Sequence, residues 1–259
     1  MGNSTLARSI LIPIFTCFCV FAASCTPTPE PTESPISVSS DDSVAAARQA
    51  TVDAMSALPS GYEEPEIGYD VPDSPRLEGW FDVNEYFSVL NHLSMQPGYT
   101  LDYVYHNSGS GAQPYLYARK IDATENYDYD YLAYVQTDDT EESFFQYIVL
   151  SIMGEQFYPW WHAAYNDYTI ICDRTGLEAV LSDTYFDNTL PAEVQKEARR
   201  LDFAPQVEIN NDTVTVRVVI FTKWGGFIEE TYTITRAFPR IIEDIETKTL
   251  VEWSINITF

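Results

Sequence analysis

The chain of 259 residues carries 39 Asp and Glu against 14 Lys and Arg, a formal charge of −25, with 45% hydrophobic and 14% aromatic residues. That hydrophobic content excludes a wholly disordered chain. The acidic balance opposes nucleic-acid binding, where Lys and Arg must replace counterions on phosphate, and it opposes electrostatic attachment to anionic lipid.

Residues Ile10 to Ala23 form an apolar run behind a single Arg8, interrupted by Pro13 and ending in Ala22-Ala23-Ser24-Cys25. About 14 apolar residues fall short of the ~20 that a spanning helix needs, and small residues at the end mark an export signal. The segment resembles the bacterial lipoprotein signal, and Ala22, Ala23, Ser24 and Cys25 carry the likeness. The resemblance implies that residues 1–24 are a cleaved signal peptide and that Cys25 is diacylated as the first mature residue. It also implies a bacterial cell membrane location, with the lipid on Cys25 as the membrane contact and the folded part extracytoplasmic. The n-region departs from the pattern in having one positive charge where two or more are usual.

Residues 25–78 read as a Pro-, Ser- and acid-rich tether. Alternating Pro in Thr26 to Pro35 favours an extended polyproline II chain of about 3.1 Å per residue. A helix is expected from about Ser43 to Leu58; its apolar face is mostly Ala, which makes it either marginal or an appendage. Pro59 to Gly79, with Pro65, Pro72 and Pro75, reads as a loop or second linker. Cys17 and Cys19 fall in the signal, so only Cys172 remains beyond Cys25. That leaves no internal disulfide and no Cys-based zinc site, and Cys172, in a strand-like run, reads as a small buried hydrophobe.

Residues 79–259 are expected to form a single α+β domain, antiparallel β-sheet meanders with a few helices on one face or end. Asp82-Val-Asn-Glu85 has the form of a capping box, and Val83, Tyr86, Phe87, Leu90 and Leu93 share one face of the helix it would open. Strands are expected at Thr100–His106, Tyr115–Lys120, Tyr131–Gln136 and Phe144–Met153. Glu155 to Tyr165 reads as a helix interrupted at Pro159, followed by a short strand at Tyr168–Cys172. Thr175-Gly-Leu-Glu178 opens a helix to about Ser182, and Pro191 starts another through Arg200. Strands at Val207–Asn210, Thr213–Thr222, Phe227–Phe238 and Thr247–Thr258 close the chain, with Asn210-Asn211-Asp212 and Gly225-Gly226 as hairpin turns.

No P-loop, dinucleotide glycine loop, His-Glu-x-x-His, Gly-x-Ser-x-Gly or Cys-x-x-Cys is present. His92, His106 and His162 include no pair at metal spacing on one helix. The densest unusual feature is Phe157 to Tyr168. There Trp160, Trp161, His162, Tyr165 and Asp167 offer stacking faces beside polar tips, suited to a sugar ring or another amphipathic ligand, though large aromatics are equally ordinary core residues. If helical, Trp161, Tyr165 and Tyr168 would share a face. The segment 154–173 also resembles Trp-Trp-His stretches of bacterial lipoproteins that carry no known activity, which implies location alone.

In Glu125 to Tyr131, extended backbone would place Asp128 and Asp130 on one side, with Asp122 or Glu125 nearby. That is a possible Ca²⁺ set without the glycine and terminal Glu of an EF-hand, or else a solvated acidic face. No other cofactor is indicated. Three readings follow: a lipid-anchored ligand-binding or envelope-interaction module taking a small molecule, glycan or peptide; a hydrolase using His162 with Asp167 or Asp173; and a structural or assembly protein without a ligand pocket.

Overall fold

The computed structural model describes residues 40–65, 73–122, 127–185 and 189–255; the expected signal, Cys25, most of the tether and Glu125 lie outside these. In chain order the elements are α1 (Ser40–Ala57), β1 (Ser74–Pro75), α2 (Tyr86–Val89), β2 (Leu93–Met95), β3 (Tyr99–Asn107), β4 (Gly111–Lys120) and β5 (Tyr127–Asp128). Then come β6 (Val135–Thr137), α3 (Glu141–Met153), β7 (Trp160–Trp161), β8 (Thr169–Ile171), α4 (Arg174–Ser182) and α5 (Ala192–Ala198). The last four strands are β9 (Gln206–Ile209), β10 (Thr213–Thr222), β11 (Gly226–Thr235) and β12 (Ile242–Glu252). The architecture is α+β. None of the described helices is long and apolar enough to cross a membrane.

Two antiparallel sheets organise the body. The first runs β1-β3-β4-β5, with β7 also on β4; the second runs β12-β11-β10-β8, with β9 also on β10; β2 and β6 pair separately. In β10 the alternation is plain: Val214, Val216, Val218 and Ile220 enter the main apolar cluster, whereas Phe221 joins a second cluster with Ile171, Leu177, Leu181 and Phe227. Successive strand residues point to opposite faces, so α3 fills one side of this sheet while α4 and α5 cover the other at one end.

Helix α3 replaces the strand expected at Phe144–Met153. Its residues from Ser143 to Leu150 are all buried, so no polar face interrupts the apolar run and no helical period is left to read. Its start is written in a capping box: the Ser143 N–H donates to Thr140 Oγ1 at 3.2 Å and the Thr140 N–H to Ser143 Oγ at 3.1 Å. Asp138 accepts from the Thr140 hydroxyl at 2.6 Å and pairs with His92 Nδ1 at 2.7 Å. Burial opposes its ionisation, but hydrogen bonds from Thr140, His92 and Ser143 outweigh that and hold its carboxyl down at about 2.

The helix expected from Asp82 shrinks to a 3₁₀ turn and one turn of α2. Asp82 does cap, accepting from the Asn84 N–H at 3.1 Å. Asn84 then turns to β3, donating to the Leu101 carbonyl and accepting from its N–H, and Leu90 leaves the helix at ψ 61°. Val83, Tyr86, Leu90 and Leu93 are buried all the same, so the periodicity identified the buried side rather than the helix length. Similarly, Tyr131–Tyr134 is 3₁₀ and only Val135 onward is strand.

Helix α1 begins and ends close to where its sequence predicts, but it belongs to the core. Val52 and Met55 sit in the main cluster with α3 and both sheets. Two buried polar residues pin it. Arg48 Nε donates to Glu142 at 3.1 Å and its Nη1 to the Pro205 carbonyl at 3.0 Å, over the ring of Phe145. Gln49 Oε1 accepts from the Cys172 N–H at 2.8 Å. Met55→Ala is expected to cost about 2–5 kcal/mol, read as a lowered urea midpoint at unchanged slope. A loss under about 0.5 kcal/mol would make α1 the appendage its Ala-rich face suggests.

Candidate functional site

The β3–β4 hairpin supplies one wall of a cleft. Its turn is held by Asn107 Oδ1 accepting from the Gly109 N–H at 3.0 Å and by the Ser108 N–H donating to the Gly111 carbonyl at 3.0 Å. Gly109, at φ 77°, takes a conformation that L side chains avoid. The register set by this turn puts Val104 opposite Tyr115 and His106 opposite Gln113. His106 and Tyr115 consequently meet on the outer face, their rings 5.5 Å apart and edge-to-face.

The second wall is the segment expected as a broken helix. Tyr158 at φ 52° and Trp161 at φ 53° cannot continue a helix, and each such position costs about 1–3 kcal/mol in a non-glycine residue. The cost is offset locally. Trp160 and Trp161 form β7, paired with Ala112 and Gly111, and the His162 N–H donates to the Ser110 carbonyl at 3.3 Å. The Tyr158 carbonyl accepts from the Tyr105 hydroxyl at 2.8 Å. This backbone divides the two tryptophans: Trp160 packs against the main cluster, and Trp161 stands 52% exposed.

From Trp161 an aromatic row continues across the surface. Ring centroids lie 5.6 Å apart for Trp161–His162, 5.5 Å for His162–Tyr165 and 4.5 Å for Tyr165–Trp224, the last on the β10–β11 turn. His162 Nδ1 and the Tyr165 hydroxyl are 3.1 Å apart. Between this row and the hairpin lies a cleft of about 310 Å³, lined by His106, Ser110, Gln113, Tyr115, His162 and Asn166 among others. Tyr165 also lines a neighbouring depression of about 480 Å³ with Tyr168 and Trp224. His106 and Tyr115 open on a third of about 340 Å³ that reaches Asp73 and Tyr129.

Asp73 organises the hairpin side. Its Oδ2 lies 2.8 Å from His106 Nδ1, and its Oδ1 accepts from the Asn107 N–H at 3.1 Å. The His106 hydrogen bond, joined by that of the Asn107 backbone, lowers its carboxyl pKa. An ionised carboxylate only accepts, so His106 Nδ1 is the donor of this hydrogen bond.

The remaining sequence-predicted residues are placed differently. Asp167 does not line the cleft. Its Oδ1 accepts from the Thr222 hydroxyl at 2.6 Å and its Oδ2 from the Lys223 N–H at 3.0 Å, which ties the 165–168 segment to the turn bearing Trp224. Asp173 is the N-cap of α4, accepting from the Gly176 N–H at 2.8 Å, so the helix is capped two residues ahead of Thr175 and neither acid shares the cleft with His162. Asp128 accepts from the Tyr134 hydroxyl at 2.7 Å and from the Asp130 N–H at 3.1 Å. Among the described residues no group of three or more His, Cys, Asp or Glu is arranged to hold a metal. Cys172 is buried, and that burial raises its thiol well above the ordinary value.

Gly111 sets how closely the two walls approach. A Cβ there would lie 2.9 Å from the Ala163 nitrogen and 3.3 Å from the Trp160 carbonyl oxygen. Gly111→Ala is expected to destabilise by about 1–3 kcal/mol and to shift tryptophan emission as Trp161 moves. An unchanged urea midpoint with unchanged emission would mean that the 160–163 turn is not seated on β4.

No protein-family model matches this chain, and neither a curated protein nor a solved structure matches it.

Proposed function

We propose that this chain is a lipid-anchored, extracytoplasmic binding module whose aromatic cleft accepts an uncharged saccharide. The observation that carries the reading is the company of the exposed rings. Tyr115 and Tyr165 join a lining of imidazole, hydroxyl and amide groups that holds no carboxylate, and the exposed Trp161 stands outside that lining, beside His162. Aromatic faces pack on the C–H surfaces of a sugar ring, while Gln113, Asn166 and the two histidines can exchange hydrogen bonds with its hydroxyls. The charge of −25 favours a neutral ligand over a polyanion. Anchoring rests on the signal and on Cys25, with the Pro-rich segment as the spacer.

The test is a titration of the chain from Thr26, which keeps every described residue, with neutral and with uronic-acid oligosaccharides, following tryptophan emission. Saturable change with neutral glycans, weakened at least tenfold in Trp161→Ala, is expected. No response to any neutral glycan removes the saccharide reading, and an unaltered affinity in Trp161→Ala moves the site elsewhere. For the anchor, Cys25→Ser is expected to transfer the protein from the membrane to the soluble fraction; an unchanged membrane fraction counts against lipidation.

A further inference from the structure

A second site lies at the other end of β10. The depression next to the aromatic cleft reaches Thr222, whereas three turns meet beside Thr213: Asp138–Thr140 ahead of α3, Asn210–Asp212 before β10, and Arg236–Ile241 between β11 and β12. At ~3.4 Å per residue the strand separates the two ends by about 30 Å. The cleft among these turns has a volume of about 750 Å³.

Its two arginines are treated differently. Arg236 is fully engaged: Nε and Nη2 fork onto Asp139 at 3.0 and 2.6 Å, and Nη1 donates to the Asn210 carbonyl at 3.0 Å. Arg240 is 9% exposed, its Cζ 5.7 Å from the Phe144 ring centroid. Its Nε is buried with no hydrogen-bond partner, and no carboxylate among the described residues forms an ion pair with it. Its contact with α3 is made by its backbone carbonyl, which accepts from the Tyr147 hydroxyl at 2.8 Å. Burial pushes the guanidinium pKa down, and Asp139, which opposes that, is already spent on Arg236. The cost falls on Nε, since a guanidinium nitrogen taken from water without a hydrogen-bond acceptor is an arrangement that folded chains ordinarily pair off, while Nη1 and Nη2 are left for an anion to meet. In a chain with 39 acidic residues, a buried arginine left without one of them points to an anion from outside.

We infer that this cleft is a second binding site, taking the carboxylate of an organic acid with an apolar body. The planar fork of Arg240 matches a carboxylate in two parallel hydrogen bonds. Phe238, 41% exposed, and Ala237 form an apolar flank for the rest of the ligand. Three acids also line the cleft, Asp139 held by Arg236 and the exposed Asp212 and Glu243, and they disfavour a doubly charged phosphate more than a single carboxylate. The site is independent of the saccharide reading.

The test uses hexanoate, hexanamide and inorganic phosphate at matched ionic strength on the chain from Thr26, with calorimetric titration and thermal melting. Hexanoate is expected to bind saturably and raise Tm, while hexanamide and phosphate do neither. Arg240→Met is expected to abolish hexanoate binding while melting no lower than wild type, because it removes a charge that no described acid balances. Arg240→Lys, which keeps the charge and loses the fork, should bind at least tenfold more weakly; Trp161→Ala should bind as wild type. Failure of hexanoate to bind, equal binding of hexanamide or phosphate, or retained binding in Arg240→Met overturns the inference. So does a lower Tm in Arg240→Met together with wild-type affinity in Arg240→Lys, since the arginine is then structural.

Discussion

A helix buried on every side along its middle still leaves free N–H and C=O groups in its terminal turns, and these need partners. Helix α3 imposes that condition on the rest of the molecule. Its N-terminus is answered by Thr140, Ser143 and Asp138. Its C-terminus is answered by phenols: the Tyr86 hydroxyl donates to the Gly154 carbonyl at 3.2 Å and the Tyr131 hydroxyl to the Leu150 carbonyl at 3.4 Å. At Tyr86 and Tyr131 a buried ring thus brings a large apolar area while its hydroxyl meets a demand that phenylalanine could not. Glu155, just past the helix, serves the sheet in the same way. β5 and β7 leave a gap along the edge of β4, and Glu155 fills it by accepting from the Leu116 N–H at 2.8 Å.

The terminal meander was legible because its strands face different surroundings on their two sides. Val214, Val216 and Val218 alternate with Thr215 and Arg217, and period two survives in the sequence. Helix α3 was not legible by that method, since uniform burial erases its period and Phe, Ile and Val favour strand on propensity. The signals that identify it lie outside the apolar run, in Thr140 and in Glu141 and Glu142 on its first turn. The body's first helix shows the opposite case. Its limits are local and could be read, but its worth depends on Arg48 and Gln49 meeting residues far along the chain.

The candidate site divides along the same line. Trp161, His162 and Tyr165 were visible as a dense aromatic stretch, and the structure keeps them together at the surface. Asp167 lay in the same stretch, yet its hydrogen bonds go to the β10–β11 turn, so proximity in sequence overstated its part. Asp73, His106, Tyr115 and Trp224 went unread because four separate segments contribute them. The Val104–Tyr115 register, dictated by the Asn107–Gly111 turn, was the one available clue to His106 and Tyr115. The buried Arg240 left no trace in composition at all, since its significance lies in the acids that do not reach it.

The seating of Arg48 and Gln49 bears on the order in which this chain can become whole. Their partners stand 94, 123 and 157 residues further on, at Glu142, Cys172 and Pro205. Local turns such as the β3–β4 hairpin can close as soon as they are made, whereas contacts of such span must first meet the entropy of very large loops. α1 is the first of the described elements to be synthesised, and it is among the last whose buried polar groups can all be matched. A nascent chain ending before Pro205 holds an arginine destined for the interior with its acceptors incomplete.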